Sequence, residues 1–485
     1  MTILCRTLEH LALGDTQRVA VIDHGRIVTY ADLNRRARRM AAWLHGEGLR
    51  PGDVVGLTVR DGLRHMVSTY ALMRLGCVQI PLPSHEPLAM RAPLAARCRA
   101  VCVVSDVADG GIDGIGLIAP DYEAILADAS LDAARMPAFG SDGATMILTS
   151  SGTTGRPKLV ACTQRQVHGY GQPDIPGASV GFIHFSIESN AAKWGSLAYL
   201  ARGMTIVFEN AEQVSLAEIC ARHGVSRVNL FPGKLETLVK AGGSTTCVRP
   251  FEGVHFLTGG ASVNAGLRST VQARISAQLH VLYGATECGL AAVAGPELHA
   301  EWPNSVGYPA LGVEIRIVDD AGASLPAGAT GFVRIRSPWS ATSYLDDEEA
   351  SAKVFRDGWF QPGDVGSMTQ DGQLIFSGRG DDMMILNSIN IFPAEIEAVA
   401  GSFPGVRECA AFPMRSAAYG DIPLLAVVAE SGLDTAALLA WCRQRLGTRA
   451  PRKVIVYSTL PRNALGKVLR RELEAAAADS TWHPT

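Results

Sequence analysis

Residues 150–158 read SSGTTGRPK: two glycines, four hydroxyl side chains, a proline and a closing lysine within nine positions, directly after the apolar run MILT at 146–149. Small residues let backbone N–H groups close around phosphate oxygens, hydroxyls add donors, and a lysine supplies countercharge. The spacing is not that of the P-loop, in which Gly-Lys-Ser/Thr opens a helix. Here Pro157 separates Arg156 from Lys158, and Leu159 follows. The segment therefore predicts a triphosphate-binding loop of another type, although a Gly/Ser/Thr run standing alone would read as an ordinary surface loop.

Four further motifs follow in order: YGATECG at 283–289, GWFQPGD at 358–364, GRGDD at 378–382 and PRNALGK at 461–467. With SSGTTGRPK they resemble the acyl-adenylate-forming superfamily of acyl- and aryl-CoA synthetases, adenylation enzymes of nonribosomal synthesis, and luciferases. The resemblance runs from TYADLNRRARRMAAWL near residue 30 to Lys467. It implies attack of a carboxylate on the α-phosphate of ATP, with release of pyrophosphate. The acyl group of the resulting acyl-AMP then passes to a phosphopantetheine thiol. Such activation is needed because a free carboxylate does not react with a thiol at neutral pH.

Carried over residue by residue, the resemblance gives Ser150, Ser151, Gly152, Thr153, Thr154, Gly155 and Lys158 to the β,γ-phosphates. It gives Thr286 to the α-phosphate and Glu287 to Mg²⁺. Tyr283 and the turn Gly259–Gly260–Ala261 match adenine-binding positions, where an aromatic face stacks and a lean backbone approaches the base. Asp364 and Arg379 match the ribose positions, an acceptor and a donor suited to vicinal hydroxyls. Lys467 matches the catalytic lysine on a flexible turn of a mobile lid, and Asp381 matches the lid's hinge. Arg462, Arg470 and Arg471 are expected only as a solvated basic face.

The acid pocket is expected in FIHFSIESNAAKWGSLAYLARGMTIV at 182–207. Asn190 stands where adenylation domains for α-amino acids carry the Asp that pairs with the substrate ammonium, and an amide cannot offset a buried cation. His184, Ala191, Trp194, Leu257, Gly259, Leu282, Leu290 and Ala291 complete an apolar cavity suited to an aryl, medium-length aliphatic or hydroxy acid. Helical spacing puts Lys193 off the Asn190–Trp194 face, so a surface salt bridge is expected there. The stretch DDMMILNS departs from the resembled pattern, with Ile385 in place of Lys and Ser388 in place of Gly, which leaves the thiol entrance open. Both a separate acyl or peptidyl carrier protein and CoA remain as acceptors, with a lean toward a free-standing loading enzyme. The alternatives are an amino-acid adenylation enzyme with unusual amino-group recognition, a luciferase-type oxygenase and a non-catalytic nucleotide-binding relative.

These residues need a scaffold, and 485 residues exceed one core. The resemblance divides the chain into an ATP- and acid-binding domain at 1–380 and a lid at 381–485. Apolar strands such as DVVGLTV, VCVVSD, TIVFEN, RVNLFP and VHFLTGG alternate with helical patterns, which predicts stacked parallel sheets with crossover helices, an α/β fold. VEIRIV, GFVRIR and GQLIFSG predict a small antiparallel, barrel-like section, and the tail predicts an α+β unit. Thr29 with Asp32 predicts the capped start of a helix that Gly46 and Gly48 end. A net charge of −3 gives no field for nucleic acid or anionic membrane. Ten dispersed cysteines, without metal-ligand spacing, and the lack of a long apolar run lead us to expect a cytoplasmic protein.

Overall fold

A computed structural model describes residues 3–108, 110–133, 143–150, 157–169, 173–241, 249–261, 263–302, 304–386, 389–416, 420–429, 431–462 and 468–478. The chain divides into two compact units. The first comprises Met1–Asn229, Ala285–Leu290 and Ser337–Phe360, and the second comprises Leu230–Gly284, Ala291–Arg336 and Gln361–Thr485.

In the first unit the apolar runs pair as expected. One six-stranded sheet runs in the order Gly116–Ile118, Cys102–Ser105, Val54–Thr58, Val78–Pro81, Ala144–Ser150, Lys158–Thr163. Its pairs are parallel except the last, a hairpin that sets Ser150 opposite Lys158. A second set, Arg227–Asn229, Val180–Ile183, Thr205–Phe208 and Val19–Asp23, is also parallel and ends on the antiparallel edge Arg26–Thr29. Helices fill the crossovers. The helix Tyr30–Gly46 begins as its cap predicts, with the Thr29 side chain accepting from the Asp32 N–H, a contact worth about 1 kcal/mol. It buries Leu33, Ala37, Met40, Ala41 and Leu44 in a core shared with the helices Ile3–Gly14, Gly62–Leu75 and Asn190–Ala201. Gln164 also serves this core, its Oε1 accepting from the N–H of Leu4 at 3.2 Å.

In the second unit His255–Gly259 and Leu279–Ala285 run parallel. An antiparallel run then proceeds through Glu314–Val318, Gly331–Arg336, Asp364–Met368, Leu374–Arg379, Ser305–Pro309 and Gly289–Ala294. Among the described residues its order is linear rather than closed into a barrel. The C-terminal stretch has its own four-strand order, Ile389–Ile391, Met384–Leu386, Gly420–Ala429, Val406–Ser416, with Lys453–Val456 added in parallel. Helices Pro393–Ala400, Thr435–Leu446 and Arg470–Ala478 cover a separate core that includes Phe412, Leu425, Ile396, Leu438 and Leu473. Among the described residues no helix is long and apolar enough to cross a membrane.

Candidate active site

The hairpin in the first unit brings the two ends of the phosphate loop together, because Ser150 pairs with Lys158. Ser151, Gly152, Thr153, Thr154 and Gly155, between those ends, lie outside the described residues. Lys158 donates from Nζ to Asp347 Oδ2 at 2.6 Å and lies 5.8 Å from the centre of the Tyr344 ring. That hydrogen bond holds the Asp347 carboxyl below the usual carboxylate range, and its other oxygen caps the helix Glu348–Val354 through the N–H of Ala350.

Glu287 sits in the turn after the strand Leu279–Ala285 and is only 5% exposed. Its Oε1 accepts from the Tyr344 hydroxyl at 2.8 Å, and its backbone carbonyl accepts from the Ala341 N–H at 2.7 Å. Among the described residues no hydrogen bond reaches the second carboxylate oxygen. A hard anionic oxygen of this kind suits Mg²⁺, which is usually held by one or two carboxylates together with substrate phosphates. Among the described residues no group of three or more His, Cys, Asp or Glu could hold a metal ion by itself. Thr286 precedes Glu287 in the same turn and is half-buried.

The acid candidates of the first unit lie on or beside the helix Asn190–Ala201, capped by the Ser189 side chain. Asn190 Nδ2 donates to the Thr149 carbonyl at 3.0 Å, so the amide is tied to the strand that leads into the phosphate loop. Trp194 is half-buried and Ala191 exposed. His184 follows the strand Val180–Ile183, its N–H on the Asn229 carbonyl at 2.8 Å and its ring edge-on to Phe182. Leu290 is half-buried.

Lys193 does not form the expected surface salt bridge. It is 0% exposed, and among the described residues its ammonium has no hydrogen-bond partner. The helix face that carries Lys193 does not meet water, since Ser196, Leu197 and Leu200, three, four and seven residues on, are buried as well. Burial pulls the Lys193 ammonium down to about 7, against the attraction of Glu188. His65, fully buried on the helix Gly62–Leu75, is held well below the usual histidine range by burial and by Lys193.

In the second unit the nucleoside candidates form one connected group. Tyr283 donates from its hydroxyl to Asp364 Oδ2 at 2.6 Å, and its ring lies 5.9 Å from that of Phe376. Asp364 Oδ1 accepts from Arg379 at 3.2 Å. Arg379 also donates to the Pro362 carbonyl at 2.8 Å and pairs with Asp381 at 3.1 Å. Burial raises the Asp364 carboxyl above its ordinary value, opposed by the Tyr283 hydroxyl and Arg379. Gly259 pairs with Leu282, and a Cβ on it would meet the Leu282 carbonyl oxygen at 2.5 Å, so only glycine allows this approach. Gly260 takes a left-handed φ of +80°, and Ala261 is half-buried. Leu257 and Ala291 are fully buried, while Leu282 is half-buried.

Lys467 and Ser388 lie outside the described residues. Two of the three arginines near Lys467 are not a solvated face. Arg462 pairs with Glu408 at 2.9 Å and Glu236 at 3.7 Å, and Arg470 pairs with Glu397 at 2.7 Å and Asp382 at 3.6 Å. Arg471 is exposed. Tyr344, Asp347 and Glu188 escape a motif-based reading because their partners lie far away in sequence: Tyr344 is 57 residues from Glu287, and Asp347 is 189 residues from Lys158.

Residues 8–345 match the AMP-binding enzyme family, and residues 395–467 match that family's C-terminal domain. The chain belongs to the AMP-binding enzymes, and it is an AMP-forming acid–thiol ligase that uses ATP. It is 29% identical to a 2-succinylbenzoate–CoA ligase of Geobacillus kaustophilus over 98% of both chains. It is also 29% identical to a feruloyl-CoA synthase of an Amycolatopsis species, over 94% of this chain and 95% of that one. Its fold is shared with the o-succinylbenzoate CoA synthetase of Bacillus subtilis solved with an acyl-adenylate, at a TM-score of 0.82 and 24% identity, covering 96% of this chain and 97% of the other.

Proposed function

We propose that this enzyme activates an aryl or apolar aliphatic acid without an α-ammonium group as its acyl-AMP and transfers the acyl group to CoA in the cytoplasm. The observation that carries the substrate class is Asn190, a neutral amide whose nitrogen is engaged by the Thr149 carbonyl. The side chain brings no anion to a substrate ammonium, which a buried cation would need. CoA as acceptor is supported by the relatives, which are named as CoA ligases. Transfer to a separate carrier protein is the alternative outcome of the test below.

In this reading Lys158 and the hydroxyls of Ser150, Ser151, Thr153 and Thr154 hold the β,γ-phosphates, Thr286 meets the α-phosphate, and Glu287 holds Mg²⁺. Bound Mg²⁺ supplies charge neutralisation on the phosphate oxygens. Tyr283 and the glycine turn seat the adenine, and Asp364 with Arg379 orients the ribose hydroxyls. Arg379 donates to Asp364, which fixes a donor and an acceptor side by side for the ribose hydroxyls. Lys467, on a lid of residues 381–485 that turns at Asp381, would offset the charge that develops as the carboxylate attacks the α-phosphate. His184, Ala191, Trp194, Leu257, Gly259, Leu282, Leu290 and Ala291 shape the acid cavity.

Pyrophosphate release is to be measured over pairs of acids that differ only in an α-amino group. The acyl-AMP so formed is then offered to CoA and to a phosphopantetheinylated carrier protein. Preference for the unsubstituted acids and transfer to CoA support the proposal. Preference for the amino member of each pair refutes the substrate class, and transfer to the carrier alone refutes the acceptor.

A further inference from the structure

The loop after the strand Gly331–Arg336 grips Glu287 at two points, through the Ala341 N–H on its carbonyl and the Tyr344 hydroxyl on its carboxylate. The loop is itself fixed. The Tyr344 N–H donates to Ser351 Oγ at 2.9 Å, and Ser351 Oγ donates to the Asp347 carbonyl at 2.6 Å. Asp347 in turn holds Lys158. One short stretch, 344–351, therefore sets both the cation and the carboxylate expected to flank a metal-bound triphosphate.

The Tyr344 ring has a packing role of its own, edge-on to Phe355 at 5.2 Å, and that role needs no hydroxyl. The hydroxyl donates to a buried carboxylate, and hydrogen bonds to charged groups are stronger than neutral ones. It occupies one oxygen of Glu287 and limits the rotation of the carboxyl, leaving the second oxygen for a cation. We propose that Tyr344 is a positioning residue for the Mg²⁺-bound triphosphate, acting through Glu287. This inference rests on the reading of Glu287 as the Mg²⁺ ligand.

The test uses the full-length enzyme and calorimetric titration with ATP in Mg²⁺ and with ATP in EDTA, for wild type, Tyr344→Phe and Glu287→Gln. Tyr344→Phe should weaken MgATP binding about tenfold, the effect of losing one hydrogen bond to a charged group, and leave metal-free ATP binding unchanged; the ligand-free enzyme should melt lower, because the buried Glu287 carboxylate loses its donor. Half-maximal pyrophosphate release should move to a correspondingly higher Mg²⁺ concentration. Wild-type MgATP affinity in Tyr344→Phe, with the Mg²⁺-dependent gain lost in Glu287→Gln, overturns the role of Tyr344 and spares the ligand reading. Equal weakening of both forms of ATP by Tyr344→Phe assigns the hydroxyl a general structural role and overturns the proposal. A Glu287→Gln enzyme that keeps the full Mg²⁺-dependent gain overturns the ligand reading and the proposal together.

Discussion

Glu287 and Lys193 are both buried charges of the first unit, and their surroundings differ. Glu287 receives a hydrogen bond from Tyr344 on one oxygen, and among the described residues none reaches the other. Among the described residues Lys193 has an ammonium with no hydrogen-bond partner; it has the electrostatic attraction of Glu188, whose oxygens are engaged by the N–H and hydroxyl of Ser84 at 2.9 and 2.7 Å. A directional partner fixes the orientation of a buried carboxylate, as a metal ligand requires. A charge buried without one relieves its cost by shifting its pKa. Burial alone therefore does not mark a functional group in this protein; the partner does.

The comparison breaks first at Glu287. Glu287→Gln keeps the shape and the Tyr344 contact but removes the anion, and should cut pyrophosphate release by about 100-fold, near 3 kcal/mol of transition-state stabilisation. A variant within a few-fold of wild type would show that this carboxylate does not serve the triphosphate. Lys467→Ala should produce a loss of similar size, above ~100-fold, in acyl-AMP formation, while thioester formation from supplied acyl-AMP persists. An equal fall in both half-reactions would sink the swinging-lid assignment.

Lys193 sharpens the other side. Its folded-state pKa of about 7 lies below the ordinary lysine value, so between about pH 7 and 10 the unfolded chain binds a proton that the folded chain does not. Stability should therefore rise with pH across that window and fall as pH drops toward 7. Lys193→Met should remove this slope and stabilise the protein at neutral pH by roughly 1–4 kcal/mol. His65 and Glu188 face the same interior and are left in place. Denaturant unfolding of both proteins at several pH values checks this, and parallel pH profiles would show that Lys193 is not the titrating group.

Much of this was legible in the sequence where local rules suffice. The Thr29 cap, the parallel strands and the antiparallel section follow from patterning, whereas Gly259, expected for an approach to adenine, is required by its approach to the Leu282 carbonyl. The partners of the site were not legible. Spacing along the helix Asn190–Ala201 gives the angle of Lys193 to Asn190, but not that the helix Gly62–Leu75 with His65 packs on that side. Composition around Lys467 gives basic residues, but not the Glu397 and Glu408 carboxylates that pair with two of them. Tyr344 and Asp347 belong to none of the five motifs, and only the fold brings them to Glu287 and Lys158.

The smallest expected effect lies at Asn190, between the two extremes: its amide has a partner, yet a charge in its place would have none. Asn190→Asp removes the donor to the Thr149 carbonyl and sets an anion beside that oxygen and, under the proposed function, in the acid site. Asn190→Ala removes the same hydrogen bond without adding charge, and should cost the native acid about fivefold in kcat/KM, as one neutral hydrogen bond does. Asn190→Asp should cost about tenfold or more, because the added anion is desolvated and repels the substrate. The excess of the Asp variant over the Ala variant isolates the charge, and it should shrink or reverse for substrates that carry an α-ammonium. Both variants are to be assayed by pyrophosphate release over paired acids with and without the amino group. If the two lose equal activity on every acid, position 190 acts only through the Thr149 strand, and the absence of an anion there says nothing about which acids the enzyme selects.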